Sequence, residues 1–353
     1  MKNQQTICYY ISGHGYGHAA RASQVIGALP AEVKILCCTQ VPAEFIRRES
    51  GRDDVAVKAG RFDSGVVQSD NREVDWDATV EEALKCNAEV SRGMMAEVDY
   101  LRKNKVDLVV TDVGAAPLEI ARMAGVPSVV VGNFTWVEIL EKTARDNEDA
   151  ADLVELWKEQ YAMATLAIRT EPAFPMKYFR HSTAVELVAR SGQKVAKLLR
   201  QTYNIPAKNK LVLLYFGIFG DDELVVPDLP GVSFLSFTPV PGAVHQVDTA
   251  AFSFPDVVAS ADCVIAKPGY GTIGECMANG TSVVYYPRND FAEYPLLRKA
   301  IESWGGGARI TPRELLAGKW AAALEKAMAL KPVKVKNRGA QQTAAHLLEL
   351  IAE

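Results

Sequence analysis

Twice in this chain a short apolar run stops at a cluster of glycines and gives way at once to a helical pattern. Residues 6–12 (TICYYIS) lead into Gly13-His14-Gly15-Tyr16-Gly17-His18 and then into the helical stretch 19–29. Residues 262–267 lead into Lys267-Pro268-Gly269-Tyr270-Gly271-Thr272-Ile273-Gly274-Glu275 and a second helical stretch, 271–279. A strand that feeds a helix through a tight turn is half of a crossover unit, and parallel strands need such crossovers. The same rhythm surrounds both turns. Strand-like runs at 33–39, 55–61, 106–112, 128–133 and 164–170 alternate with helical patterns at 42–50, 77–104, 115–124 and 137–161. Residues 172–181 break the rhythm. It restarts with strand-like runs at 210–216, 232–237, 262–267 and 282–286 and helical patterns at 254–261, 271–279, 293–303, 312–330 and 338–352. This predicts an α/β chain with two Rossmann-like, doubly wound parallel sheets. The boundary falls within 172–208. The domains are placed at 1–185 and 186–335, with 336–353 as a closing helix that packs back on the first.

The length of 353 residues suits two domains, at roughly 150 residues each. A net charge of −4 gives no reason to expect nucleic acid or an anionic membrane as partner. The polar start 1–6 shows no secretory signal, and no apolar run approaches the ~20 residues of a membrane span. The six cysteines, Cys8, Cys37, Cys38, Cys86, Cys263 and Cys276, form no CxxC pair and sit in apolar stretches. They read as reduced core residues of a cytoplasmic protein. No HExxH, DxD or EF-hand pattern points to a metal, and no cofactor is expected.

In open α/β sheets ligands bind beyond the carboxyl ends of strands. Two of the chain's five histidines, His14 and His18, lie in the first glycine turn. A neutral imidazole there can take a proton near pH 7; the plain alternative is a tight turn whose histidines cap or pack. Asp112 closes a strand-like run. It could orient one of those histidines, or it could cap the helix starting near Ala115. The second turn opens a helix, whose free N–H groups and dipole favour an anion such as phosphate. Its GxGxxG letters are weak by themselves. Glu275, one turn in, can accept two hydrogen bonds from a diol, or simply complement the helix dipole. Arg288, Asn289, Asp290 and Glu293 gather in one loop that suits sugar hydroxyls, or is merely solvated.

Taken together these segments resemble the GT-B nucleotide-sugar glycosyltransferases nearly end to end, and especially the glycosyltransferase-like N-terminal half of plant-type L-arabinokinases. The stretches that carry the likeness are YYISGHGYGHAAR (9–21), DLVVTDVG (107–114), VPSVVVGNFTW (126–136), ADCVIAKPGYGTIGE (261–275) and NDFAEYPLLR (289–298). The kinase half has no counterpart in these residues. The resemblance implies two domains facing a cleft, with Gly13, His14, Gly15 and Gly17 as an acceptor-side loop. It implies His18 as base with Asp112 behind it. It makes Gly217, Lys267, Gly269, Tyr270, Gly271, Thr272 and Glu275 donor-binding positions, with Glu275 on the ribose, and puts the uracil side near 252–256. Asp290 and Glu293 stand where the family carries an acid–glutamine pair on the donor sugar. The glutamine is absent, which leaves that sugar open.

The function so implied is metal-independent transfer of a hexosyl or pentosyl group from a nucleotide diphosphate sugar, UDP-linked, to an acceptor hydroxyl. Three alternatives stay open. They are a protein that binds the nucleotide sugar without transfer, a GT-B-like epimerase or hydrolase, and an oxidoreductase. The last fits least, because its glycine motif belongs on the first strand. Acceptor and oligomeric state are not legible.

Overall fold

The computed structural model describes residues 4–68, 73–216 and 224–352, and its chain divides into two compact units. Unit 1 runs through β1 (Thr6–Ile11), α1 (Tyr16–Ala28), β2 (Lys34–Thr39), α2 (Ala43–Ser50), β3 (Ala56–Ala59), α3 (Trp76–Lys103), β4 (Leu108–Asp112), α4 (Ala116–Ala124), β5 (Ser128–Gly132), α5 (Trp136–Leu140), α6 (Glu148–Tyr161), β6 (Leu166–Thr170) and β7 (Ser182–Val185). Unit 2 runs through α7 (Ala196–Thr202), β8 (Lys210–Tyr215), β9 (Val232–Ser236), β10 (Val244–Gln246), α8 (Phe254–Ser260), β11 (Cys263–Ala266), α9 (Tyr270–Asn279), β12 (Val283–Tyr285), α10 (Tyr294–Trp304), β13 (Gly307–Arg309), α11 (Pro312–Leu316) and α12 (Ala321–Ala329). The last helix, α13 (Gly339–Ala352), belongs to unit 1, which takes in residues 337–353.

Both sheets are parallel among the described residues. Unit 1 has the strand order β3-β2-β1-β4-β5-β6-β7 and unit 2 the order β10-β9-β8-β11-β12-β13. Each order reverses direction once, between β1 and β4 and between β8 and β11. At such switch points the flanking loops part and leave a crevice at the strands' carboxyl ends.

The strands read as continuous apolar runs because helices cover both faces. Alternate residues of β1 serve opposite cores. Ile7, Tyr9 and Ile11 join α1 and α13 on one side, while Cys8 and Tyr10 join α3 and α4 on the other. All six cysteines are buried and free. Burial pushes the Cys86 thiol up to about 11 and that of Cys263 up to about 12. No described helix is long and apolar enough to cross a membrane.

The structure departs from the sequence reading at the margins. β7, β10 and β13 were not legible as strands. Each has three or four residues and lies at the edge of its sheet, with exposed positions that blur the apolar signal. The helical pattern 312–330 splits into α11 and α12, with Gly318 between them in the left-handed region at φ 66°. The pattern 137–161 is α5, a single 3-10 turn and α6, which Asn147 caps afresh by accepting from Ala150 N at 2.9 Å.

Candidate functional site

The two switch points hold the two groups of candidate residues, one in each unit. In unit 1, β1 ends at Ile11 and the chain turns through Gly13 and Gly15 into α1. Gly15 caps that helix with φ 77°, a conformation that side chains disfavour. His18 stands in the first turn of α1 and Asp112 at the end of β4, the strand beside β1. His18 Nδ1 lies 2.8 Å from Asp112 Oδ1. Ala115, not Asp112, occupies the N-cap of α4, so the capping alternative falls away.

Arg21, one turn further along α1, grips the same carboxylate. Its Nε donates to Asp112 Oδ2 at 2.8 Å and its Nη2 to Oδ1 at 2.5 Å; its Nη1 donates to Asn133 Oδ1. Asp112 is fully buried, and Arg21 and His18 nearly so. Burial alone would raise the Asp112 carboxyl, but the Arg21 charge and the His18 hydrogen bond outweigh it and hold it below its ordinary range. An ionised Asp112 can only accept, so Nδ1 of His18 donates. That leaves the lone pair on Nε2, the arrangement a general base needs. Arg21 Nη2 is 3.2 Å from Nδ1, but it makes its shorter bond, 2.5 Å, to Asp112 Oδ1, so the Nδ1 proton keeps its place.

Phe134 meets the His18 ring edge-on at 5.8 Å, and the Trp136 ring lies 6.3 Å away. A further carboxylate, Asp63, follows β3. Its Oδ1 accepts from Ser12 Oγ at 2.9 Å and its Oδ2 from Trp136 Nε1 at 3.1 Å. Asp63 is closely surrounded yet keeps some accessible surface. Burial raises its carboxyl, and the charge of His18 acts in the opposite direction. Sequence reasoning missed Asp63, which falls in an aperiodic stretch. It missed Arg21 as well, although the three-residue spacing from His18 on one helix was available as a signal. His14 lies beside Trp136, 6.1 Å between rings, and its backbone N–H donates to Ser12 Oγ at 3.2 Å.

In unit 2, β11 ends at Ala266 and Gly269 caps α9 in extended conformation, making no side-chain cap bond of its own. Gly271 and Thr272 form the first turn beside Tyr270. Lys267 sits at the strand end. Burial, then the neighbouring Arg288 charge, pulls its ammonium down to about 8, and Glu293 opposes them. Arg288 and Glu293 are thus both within electrostatic reach of Lys267. Asp290 lies on the same loop as Arg288, partly buried. Glu275 is buried, and its Oε1 accepts from Arg190 Nε at 2.5 Å. That partner was not anticipated. Gly217 lies outside the described residues. No cluster of three or more metal-ligating side chains occurs among the described residues.

Two parallel sheets flanked by helices, one in each unit, place the chain in the GT-B class of fold. The chain belongs to glycosyl transferase family 1, whose sequence model matches residues 5–182. It is 31% identical to an L-arabinokinase of Arabidopsis thaliana over 97% of its own length, and it spans 34% of that relative. Solved structures agree on the fold. The glycosyltransferase of kitacinnamycin superposes with a TM-score of 0.63 at 14% identity, covering 99% of both chains. Phytolacca americana UGT2, complexed with UDP-2fluoro-glucose and pterostilbene, gives 0.62 at 13% identity over 99% of this chain and 100% of that one. MurG of Acinetobacter baumannii gives 0.51 at 16% identity over 98% and 99%.

Proposed function

We propose that this chain transfers a hexosyl or pentosyl group from a UDP-linked sugar to an acceptor hydroxyl, with His18 as general base and without a metal. The observation that carries this reading is the buried 2.8 Å contact between His18 Nδ1 and Asp112 Oδ1 at the unit 1 switch point. It fixes the tautomer and leaves Nε2 to take the acceptor proton. The acceptor oxygen then bonds to the anomeric carbon as the bond from that carbon to the diphosphate breaks. The electron pair leaves with the diphosphate. In unit 2 the start of α9 and the Lys267 and Arg288 charges would meet that growing negative charge, so stabilisation comes from fixed dipoles and cations. Glu275 would hold the ribose diol. The solved UGT2 complex holds UDP-2fluoro-glucose and pterostilbene, which makes a UDP-sugar a reasonable first ligand to test here.

The test is calorimetric titration with UDP and UDP-glucose, with Glu275→Ala as control, followed by an acceptor screen. Binding that Glu275→Ala abolishes supports the donor site. Turnover should then fall by roughly 10²–10⁴ in His18→Ala, and unchanged turnover removes His18 from the role of base. Donor binding with no transfer to any acceptor would favour a binding protein instead.

A further inference from the structure

Around His18 the fixed charges do not balance once the imidazole is protonated. Arg21 and Asp112 are buried and joined by two bonds, at 2.8 and 2.5 Å, so their charges cancel. A proton taken up by His18 then leaves one positive charge beside a neutral pair. His18 is only 8% exposed, and a buried cation without a counter-charge is costly. Asp63 is the further carboxylate at this place. Ser12 Oγ and Trp136 Nε1 donate to its two oxygens at 2.9 and 3.1 Å. Both donors are neutral, so they orient the carboxylate without cancelling its charge. The indole that donates to Asp63 is the one that lies against the His18 ring.

We propose that Asp63 is the counter-charge for protonated His18. It is a positioning residue whose carboxylate, set by Ser12 and Trp136, stabilises the imidazolium formed when Nε2 takes the acceptor proton. Asp112 fixes the tautomer and by its direct contact also favours the imidazolium, but its charge is already shared with Arg21. The proposal rests on reading His18 as the base. The interaction of two charges is mutual: a positive His18 lowers the Asp63 carboxyl, so an ionised Asp63 favours a positive His18 to the same degree.

Among the described residues, the other titratable groups nearby do not take this part. From β1, Tyr9 is buried, and burial together with the Asp112 charge pushes its phenol well up, so it stays neutral. From α6, the Tyr161 hydroxyl donates to Val113 O at 2.6 Å and is likewise pushed up by burial. From α5, Glu138 accepts from Thr135 and from Tyr178. From the glycine turn, His14 is a second imidazole and is removed in the test as His14→Gln.

The test follows the His18 imidazole by NMR in the full chain, labelled at histidine Cε1 and assigned with His18→Gln, between about pH 5 and pH 9. Asp63→Asn should move the His18 midpoint down by about one pH unit, and Asp63→Glu should restore most of it. An unmoved midpoint in a folded Asp63→Asn protein overturns the proposal. If Asp63→Asn does not fold, the reciprocal measurement decides: the Asp63 carboxyl midpoint must rise in His18→Gln, and no change overturns the proposal. Neither measurement needs an acceptor. Loss of transfer with the coupling intact would count against the glycosyltransferase reading alone, and absence of coupling with His18-dependent turnover would count against Asp63 alone.

Discussion

A single lysine ties the anion chemistry of unit 2 to pH. Lys267 stands at the end of β11, and burial plus the Arg288 charge bring its ammonium down to about 8. In the unfolded chain it titrates near the ordinary lysine value, so between about 8 and 10.4 the unfolded state holds more protons. Stability of the free protein therefore rises with pH across that window through this group. A bound diphosphate acts in reverse, because its charge favours the protonated lysine. UDP affinity should be flat below about pH 8 and decline above it, by up to about tenfold per unit. Calorimetry of UDP binding from about pH 7 to pH 10 checks this, and Lys267→Met should weaken binding and flatten the profile. A flat wild-type profile would place the anion away from Lys267. At this scale the sequence disclosed His18, Asp112, Lys267 and Glu275, because glycine spacing and strand ends announce them. Asp63 and Arg190 lie in segments with neither period nor motif, so only the folded chain shows that Asp63 meets Ser12 and Trp136 and that Arg190 meets Glu275.

At the scale of elements, the glycine turns separate two demands that glycine can serve. At Gly65, where φ is +69°, an added Cβ would come within 2.2 Å of His14 Nδ1, so both the backbone conformation and the packing favour glycine. At Gly17 and Gly269 a Cβ would meet nothing within 4 Å and φ is not positive. The fold itself makes no demand for glycine there. A ligand that approaches the backbone would. Gly269→Ala should therefore keep its urea midpoint, shifting stability by no more than about 0.5 kcal/mol, while UDP binding weakens at least about tenfold. A lost midpoint would mean that glycine serves the fold, and unchanged binding would move the diphosphate off this turn. The same contrast explains which elements were readable beforehand. Buried central strands such as β1 and β4 carry unbroken apolar runs. The short edge strands β7, β10 and β13 carry no such run, and the break between α11 and α12 rests on one left-handed glycine.

At the scale of the whole molecule, the chain leaves unit 1 at Val188 and re-enters it at Asn337, whereas the described residues from Ala189 to Lys336 all belong to unit 2. The returning helix is part of the first core. Ala340, Ala344 and Leu347 of α13 pack with Ala19, Ala22 and Ile26 of α1, and Leu347 is fully buried. Polar contacts fix its start: Gly339 N donates to Leu187 O at 3.1 Å, Arg338 Nη2 reaches Glu186 Oε1 at 2.7 Å, and Glu186 N donates to Gln342 Oε1 at 2.8 Å. At its far end Gln5 Nε2 donates to Ile351 O at 2.8 Å. Ending the chain after Lys336 would expose the α1 face that Leu347 and its neighbours cover. Burying one leucine is worth about 1.5–3 kcal/mol, so with the two alanines the loss should be about 3–5 kcal/mol. A contiguous unit with its own core folds independently, so the loss should fall on unit 1 alone. Urea unfolding of the shortened chain should then show an early transition followed by Trp136 fluorescence, and a later one followed by Trp320, which is buried in the unit 2 core. Each signal is isolated by replacing the other tryptophans with phenylalanine. A single unshifted transition would mean that α13 adds nothing to unit 1, and a single early one would mean that unit 2 does not hold its fold alone.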